Sequence, residues 1–113
     1  MATLIVQTIP LDNVGALITF AAAAAGGDDF VNPKSGKGYI RCKNADASAT
    51  TVTVNSQKNC DQGFDHNIAL VVPAGETREV GPLSPDRFDD TTRKVLLTYS
   101  SVTSLTIAVV ETK

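Results

Sequence analysis

Two stretches, Thr50-Thr51-Val52-Thr53-Val54-Asn55 and Ile68-Ala69-Leu70-Val71-Val72, decide the fold class of this chain. In the first, Val52 and Val54 alternate with Thr51 and Thr53; in the second, Ile68, Leu70 and Val72 share one parity. That period of two is the signature of a strand that buries one face and wets the other. Outward from these stretches, strand-like runs recur at residues 3–9, 14–20, 30–31, 39–44, 67–72, 77–80, 94–100 and 105–111, while apolar stripes at helical spacing are nearly absent. The breaks carry turn chemistry. Residues 44–48 and 101–104 read as hairpin tips, 57–66 as a longer loop, 73–75 as a tight turn, and 32–38, with Pro33, Gly36 and Gly38, as an exposed loop. The alanine run 21–25 is too short to repay helix nucleation and reads as a packed connection, whereas 81–92, with Pro82 and Pro85, is expected to hold one short helical turn. About seven to nine short strands at such spacing predict an all-β fold, an antiparallel β-sandwich or jelly-roll-like barrel.

With 113 residues and 42% hydrophobic content, the chain can fold around one core, and residues 1–113 read as a single domain. A net charge of -2, with Lys and Arg scattered singly, excludes the concentrated positive field that binds nucleic acid. Residues 1–20 lack a basic leader and are interrupted by Pro10, Asp12 and Asn13, so neither a signal peptide nor a membrane span is expected, and synthesis is expected in the cytoplasm.

The search for chemistry yields no constellation. His66 is the only histidine, and no activated-serine motif accompanies it, so no catalytic residue is assigned. The pairs Asp28/Asp29 and Asp89/Asp90 lack the spacing of a calcium loop and read as turn-forming or edge-protecting acids; no metal and no cofactor is expected. Glu76, Glu79, Asp61 and Asp65 would need to converge in space to act as paired carboxylates, and the absence of tryptophan weakens a sugar-binding platform. Cys42 and Cys60 fit no zinc or redox spacing; two thiols are expected, with a disulfide as the alternative outside a reducing compartment.

Two segments are apolar on both faces: residues 3–9, and the end of 105–111, where Ala108 and Val110 oppose Leu105, Ile107 and Val109. The readings are an interior strand or a surface covered by a neighbour, and the interface set expected on the second reading is Leu4, Ile5, Val6, Ile9, Leu105, Ile107 and Val109.

Three stretches, Ala21-Ala-Ala-Ala-Ala-Gly-Gly-Asp-Asp-Phe-Val-Asn32, Val72-Pro-Ala-Gly-Glu-Thr-Arg-Glu-Val-Gly-Pro-Leu83 and Leu97-Thr-Tyr-Ser-Ser-Val-Thr-Ser-Leu-Thr-Ile-Ala-Val109, together resemble small proteins encoded among the virion structural genes of tailed bacteriophages. The resemblance covers most of the chain and departs around Cys60 and Phe64. It implies a capsid cement (decoration) protein, a β-sandwich or jelly-roll unit bound as a trimer to the outer surface of the major capsid protein shell of the virion. The alternatives are a head-to-tail connector or tail-associated protein and, from another class, a carbohydrate-binding surface module. No family site residue is carried over.

Overall fold

Alternation builds two sheets around one core. The computed structural model describes residues 2–10, 15, 17–57 and 67–112. Its strands are β1 (Ala2–Leu4), β2 (Val6–Ile9), β3 (Ala21–Ala22), β4 (Asp28–Val31), β5 (Gly38–Asn44), β6 (Thr50–Val54), β7 (Ile68–Val72), β8 (Thr77–Val80), β9 (Lys94–Tyr99) and β10 (Leu105–Thr112), with one helical turn, α1 (Pro85–Phe88), before β9. One sheet has the order β1-β4-β9-β6-β7 and the other β2-β10-β5-β8, with β3 also lying against β10. On β5, Gly38, Ile40, Cys42 and Asn44 are buried while Tyr39, Arg41 and Lys43 are not, the alternation expected of a one-sided strand. The inward residues of both sheets, among them Phe30, Ile40, Val52, Val54, Val95, Leu97, Ile107 and Val109, form one apolar cluster that Leu83 and Phe88 join from the α1 crossing. Each such side chain contributes about 1.5–3 kcal/mol by leaving water. The all-β sandwich is therefore the fold, and the helical turn falls within 81–92 with Pro85 at its first turn, where a missing N–H costs nothing. No helix among the described residues is long and apolar enough to cross a membrane.

The sheets are mixed, not purely antiparallel. β1 runs parallel to β4 and β2 runs parallel to β10, while the remaining pairings are antiparallel. Alternation fixes which face of a strand is buried and is silent about its direction, so both parallel pairings were invisible to it. The expected single run 3–9 is in fact two strands in different sheets: Leu4 pairs with Phe30 in one sheet and Val6 with Val109 in the other.

The expected hairpin tips at 44–48 and 101–104 are arches that carry the chain from one sheet to the other. Turn residues specify a local reversal, and either sheet can receive the next strand because both bury their inner face in the same core. Asn44 builds the first arch: its amide nitrogen donates to Ser48 O (2.8 Å) and Val72 O (3.0 Å), and its Oδ1 accepts Asp46 N–H (3.0 Å). In the second arch, Leu105 N–H closes a turn onto Val102 O (3.3 Å). Of the connections between consecutive described strands, β6 to β7 joins neighbours in one sheet.

The expected strand at 14–20 falls partly on residues 14 and 16, outside the described residues, and 17–20 form no strand. There the Gln7 side chain stands in for a ladder, accepting Thr19 N–H (2.8 Å) and donating to Thr19 O (2.7 Å). The alanine connection contains β3, whose Ala22 and Ala21 pair with Thr106 and Ile107.

Candidate interaction surface

Because the chain leaves one sheet at Leu4 and joins the other at Val6, the residue between them has no inward direction available. Ile5 therefore points to solvent and is 83% exposed. Two hollows flank it. One, of about 440 Å³, lies between Thr3, Gln7, Thr19, Ala21 and Ala22. The other, of about 640 Å³, is floored by Leu4, Val6, Val31 and Pro33 and edged by Lys34, Arg93 and Glu111.

The walls of the larger hollow are held by short polar contacts. Asp90 Oδ1 accepts Thr92 N–H (2.8 Å), Thr92 Oγ1–H (2.7 Å) and Lys94 N–H (3.0 Å). These bonds, the Lys94 N–H foremost, hold the Asp90 carboxyl below its ordinary range. The turn so formed puts Arg93 at φ 65, in the left-handed region. Its carbonyl accepts Asn32 N–H (3.0 Å), and the buried Asn32 amide donates to Asp89 Oδ1 (2.7 Å) and Leu83 O (3.2 Å). Asn32 Oδ1 itself has no hydrogen-bond partner among the described residues. Glu111 accepts Thr8 Oγ1–H (3.1 Å) and Ser35 Oγ–H (3.3 Å), which occupies both of its oxygens.

The seven expected interface residues separate into three groups. Leu4, Leu105, Ile107 and Val109 belong to the chain's own core cluster, Val6 and Ile9 are half-buried, and Ile5 is exposed. Ala108 and Val110 are buried as well, so both faces of β10 are covered within the single chain and no subunit contact is needed to explain their apolar character. Val31, Lys34 and Arg93 were not singled out by the sequence. Val31 lies on a strand one residue beyond the buried Phe30, and the two cations are separated by 59 positions that only the fold brings to one hollow.

The acids are engaged by the protein itself. Asp28, expected in a turn, is fully buried on β4, where its Oδ2 accepts Tyr99 OH (2.6 Å) and Ala24 N–H (3.2 Å). Asp29 accepts Thr3 Oγ1–H (2.7 Å), Glu76 pairs with Arg78 (2.7 Å), and Glu79 pairs with Arg41 across the β5–β8 ladder. His66, Cys60, Asp61 and Asp65 lie outside the described residues. Cys42 is a free, buried thiol whose pKa burial pushes up to about 12. Among the described residues no group of three or more His, Cys, Asp or Glu side chains is placed to hold a metal ion. What the arrangement offers chemically is contact: an exposed aliphatic side chain, two adjoining hollows and cations at the rim of one of them.

Comparison with protein-family models, curated proteins and solved structures returned no match.

Proposed function

We propose that this chain is a structural virion protein of a tailed bacteriophage, a capsid cement protein that binds the outer surface of the major capsid protein shell as a homotrimer and stabilises it. The observation that carries this reading is Ile5, 83% exposed at the edge of a well-packed sandwich and flanked by hollows on both sides. An isoleucine held in water gains about 1.5–3 kcal/mol when a partner covers it, so a rigid edge of this shape favours adhesion. Repetition over a shell multiplies a modest contact by avidity, and a cement protein requires rigidity and adhesive edges. The three-stretch resemblance to virion structural proteins points to the same role.

Immunogold electron microscopy of the virion with antibody against the purified chain tests the assignment. Label distributed over the shell is expected. Label confined to the neck or tail would replace it with a connector or tail role, and a free oligomer of six or twelve copies would argue the same way against a trimer.

A further inference from the structure

We propose that the larger hollow beside Ile5 receives an extended segment of the partner protein in which aliphatic residues are flanked by carboxylates. The apolar lining is Leu4, Ile5, Val6, Val31 and Pro33, and Val31 is 50% exposed although it lies on a strand of the core sheet. The rim is cationic. Lys34 and Arg93 stand on it, and neither side chain has a hydrogen bond or ion pair among the described residues, unlike Arg41 and Arg78, which are paired with Glu79 and Glu76. Glu111, the one carboxylate in the lining among the described residues, is held by the hydroxyls of Thr8 and Ser35 and is no partner of either cation.

Two unpaired cations beside an apolar floor complement a segment of opposite charge and like hydropathy. Arg93 adds a conformational argument. Its left-handed turn position is one that glycine or asparagine fills at lower cost, yet an arginine stands there, fixed by the Asp90 contacts with its side chain lining the hollow. Among the described residues β1 pairs with β4 alone and is an edge strand of its sheet.

The inference rests on the reading of this chain as an adhesive module and is independent of where in a virion it sits. The test is a titration of the isotope-labelled full chain, followed by NMR, with a capped seven-residue peptide alternating Glu with Val and Ile, and separately with the peptide in which Lys replaces Glu. The acidic peptide is expected to shift the amides of Ile5, Val31, Lys34 and Arg93, to bind about tenfold more weakly to a Lys34→Glu/Arg93→Glu double variant, and to weaken with added salt. Equal binding of both peptides, or shifts only elsewhere on the protein, would overturn the inference. If the acidic peptide seats in the hollow while gold label lies at the neck, the capsid reading fails and the docking chemistry stands. If the label covers the shell but the peptides are not distinguished, only the docking chemistry falls.

Discussion

The Tyr99 hydroxyl donates a 2.6 Å hydrogen bond to Oδ2 of the fully buried Asp28, joining residues 71 positions apart across neighbouring strands β9 and β4. The same oxygen accepts Ala24 N–H, so one carboxylate ties the turn before β4 to the end of β9. Tyr99→Phe is expected to destabilise the fold by about 1–3 kcal/mol, because a buried charged acceptor loses a donor. Urea unfolding of the variant measures this directly; a loss within error of zero would remove the Tyr99–Asp28 hydrogen bond from the determinants of the fold.

The same contact sets a pH dependence. Burial, then the hydrogen bond and negative charge of Asp28, raise the Tyr99 pKa above its ordinary value of 10.0. A folded-state pKa above the unfolded one gives stability that is complete below the unfolded value and is lost as pH rises beyond it. Stability should therefore fall from about pH 10 upward, and Tyr99→Phe should reduce that slope. Denaturant unfolding at stepped alkaline pH is the measurement.

Cys42 works in the same direction at slightly lower pH. Its thiol moves from 9.0 to about 12 through burial alone, so stability tied to it is present below about pH 9 and lost as pH approaches the folded value. At about pH 8 the thiolate fraction should be about a thousandfold below that of a free cysteine. In a Cys60→Ser background, reaction with a disulfide reagent should be correspondingly slow in the native protein and fast in denaturant. Rapid native labelling would mean that the core around Cys42 opens far more readily than its packing implies.

How much of this was legible in the sequence depends on the range of the interaction concerned. Val52, Val54 and Leu70 announce a two-sided strand because alternation is local, and the class of fold follows from many such strands. The direction of β1 and β2, the arches at 44–48 and 101–104, and the break at Ile5 depend on which distant strand supplies the ladder partner, and no neighbouring residue encodes that. Asp28 illustrates the same limit: beside Asp29 and after two glycines it reads as turn chemistry, and the partners that make its burial tolerable include Tyr99, far along the chain. The exposed edge at Ile5 was half legible. An N-terminal run apolar on both faces was visible, whereas the sheet exchange that leaves Ile5 outside and Leu4 inside was not, nor was the meeting of Lys34 with Arg93.

Gly27 and Gly75 provide a controlled comparison of backbone and steric cost. Both have positive φ, 100 and 72, but a Cβ at Gly27 would collide with the carbonyl oxygen of Leu97, while one at Gly75 would meet nothing within 4 Å. Gly75→Ala should cost about 1 kcal/mol, the left-handed penalty alone. Gly27→Ala should cost about 2–3 kcal/mol or more, since the turn must also withdraw from β9. Equal unfolding midpoints for the two variants would contradict the close approach of this turn to Leu97.

Ile5 and Ile107 separate adhesion from folding. Ile107 is 1% exposed within the core cluster, and Ile107→Ala should destabilise the protein by about 2–5 kcal/mol through lost burial and the cavity left behind. Ile5→Ser removes an aliphatic side chain that is already 83% exposed, so its effect on unfolding should stay within about 0.5 kcal/mol. If the edge between β1 and β2 is the adhesive surface, the same substitution should sharply reduce co-sedimentation of the chain with virion shells stripped of it. Because its fold remains intact, the loss reports on the contact itself. Undiminished attachment of Ile5→Ser would move the contact to another face, where the exposed Leu17 and Val71 are the next aliphatic side chains to substitute.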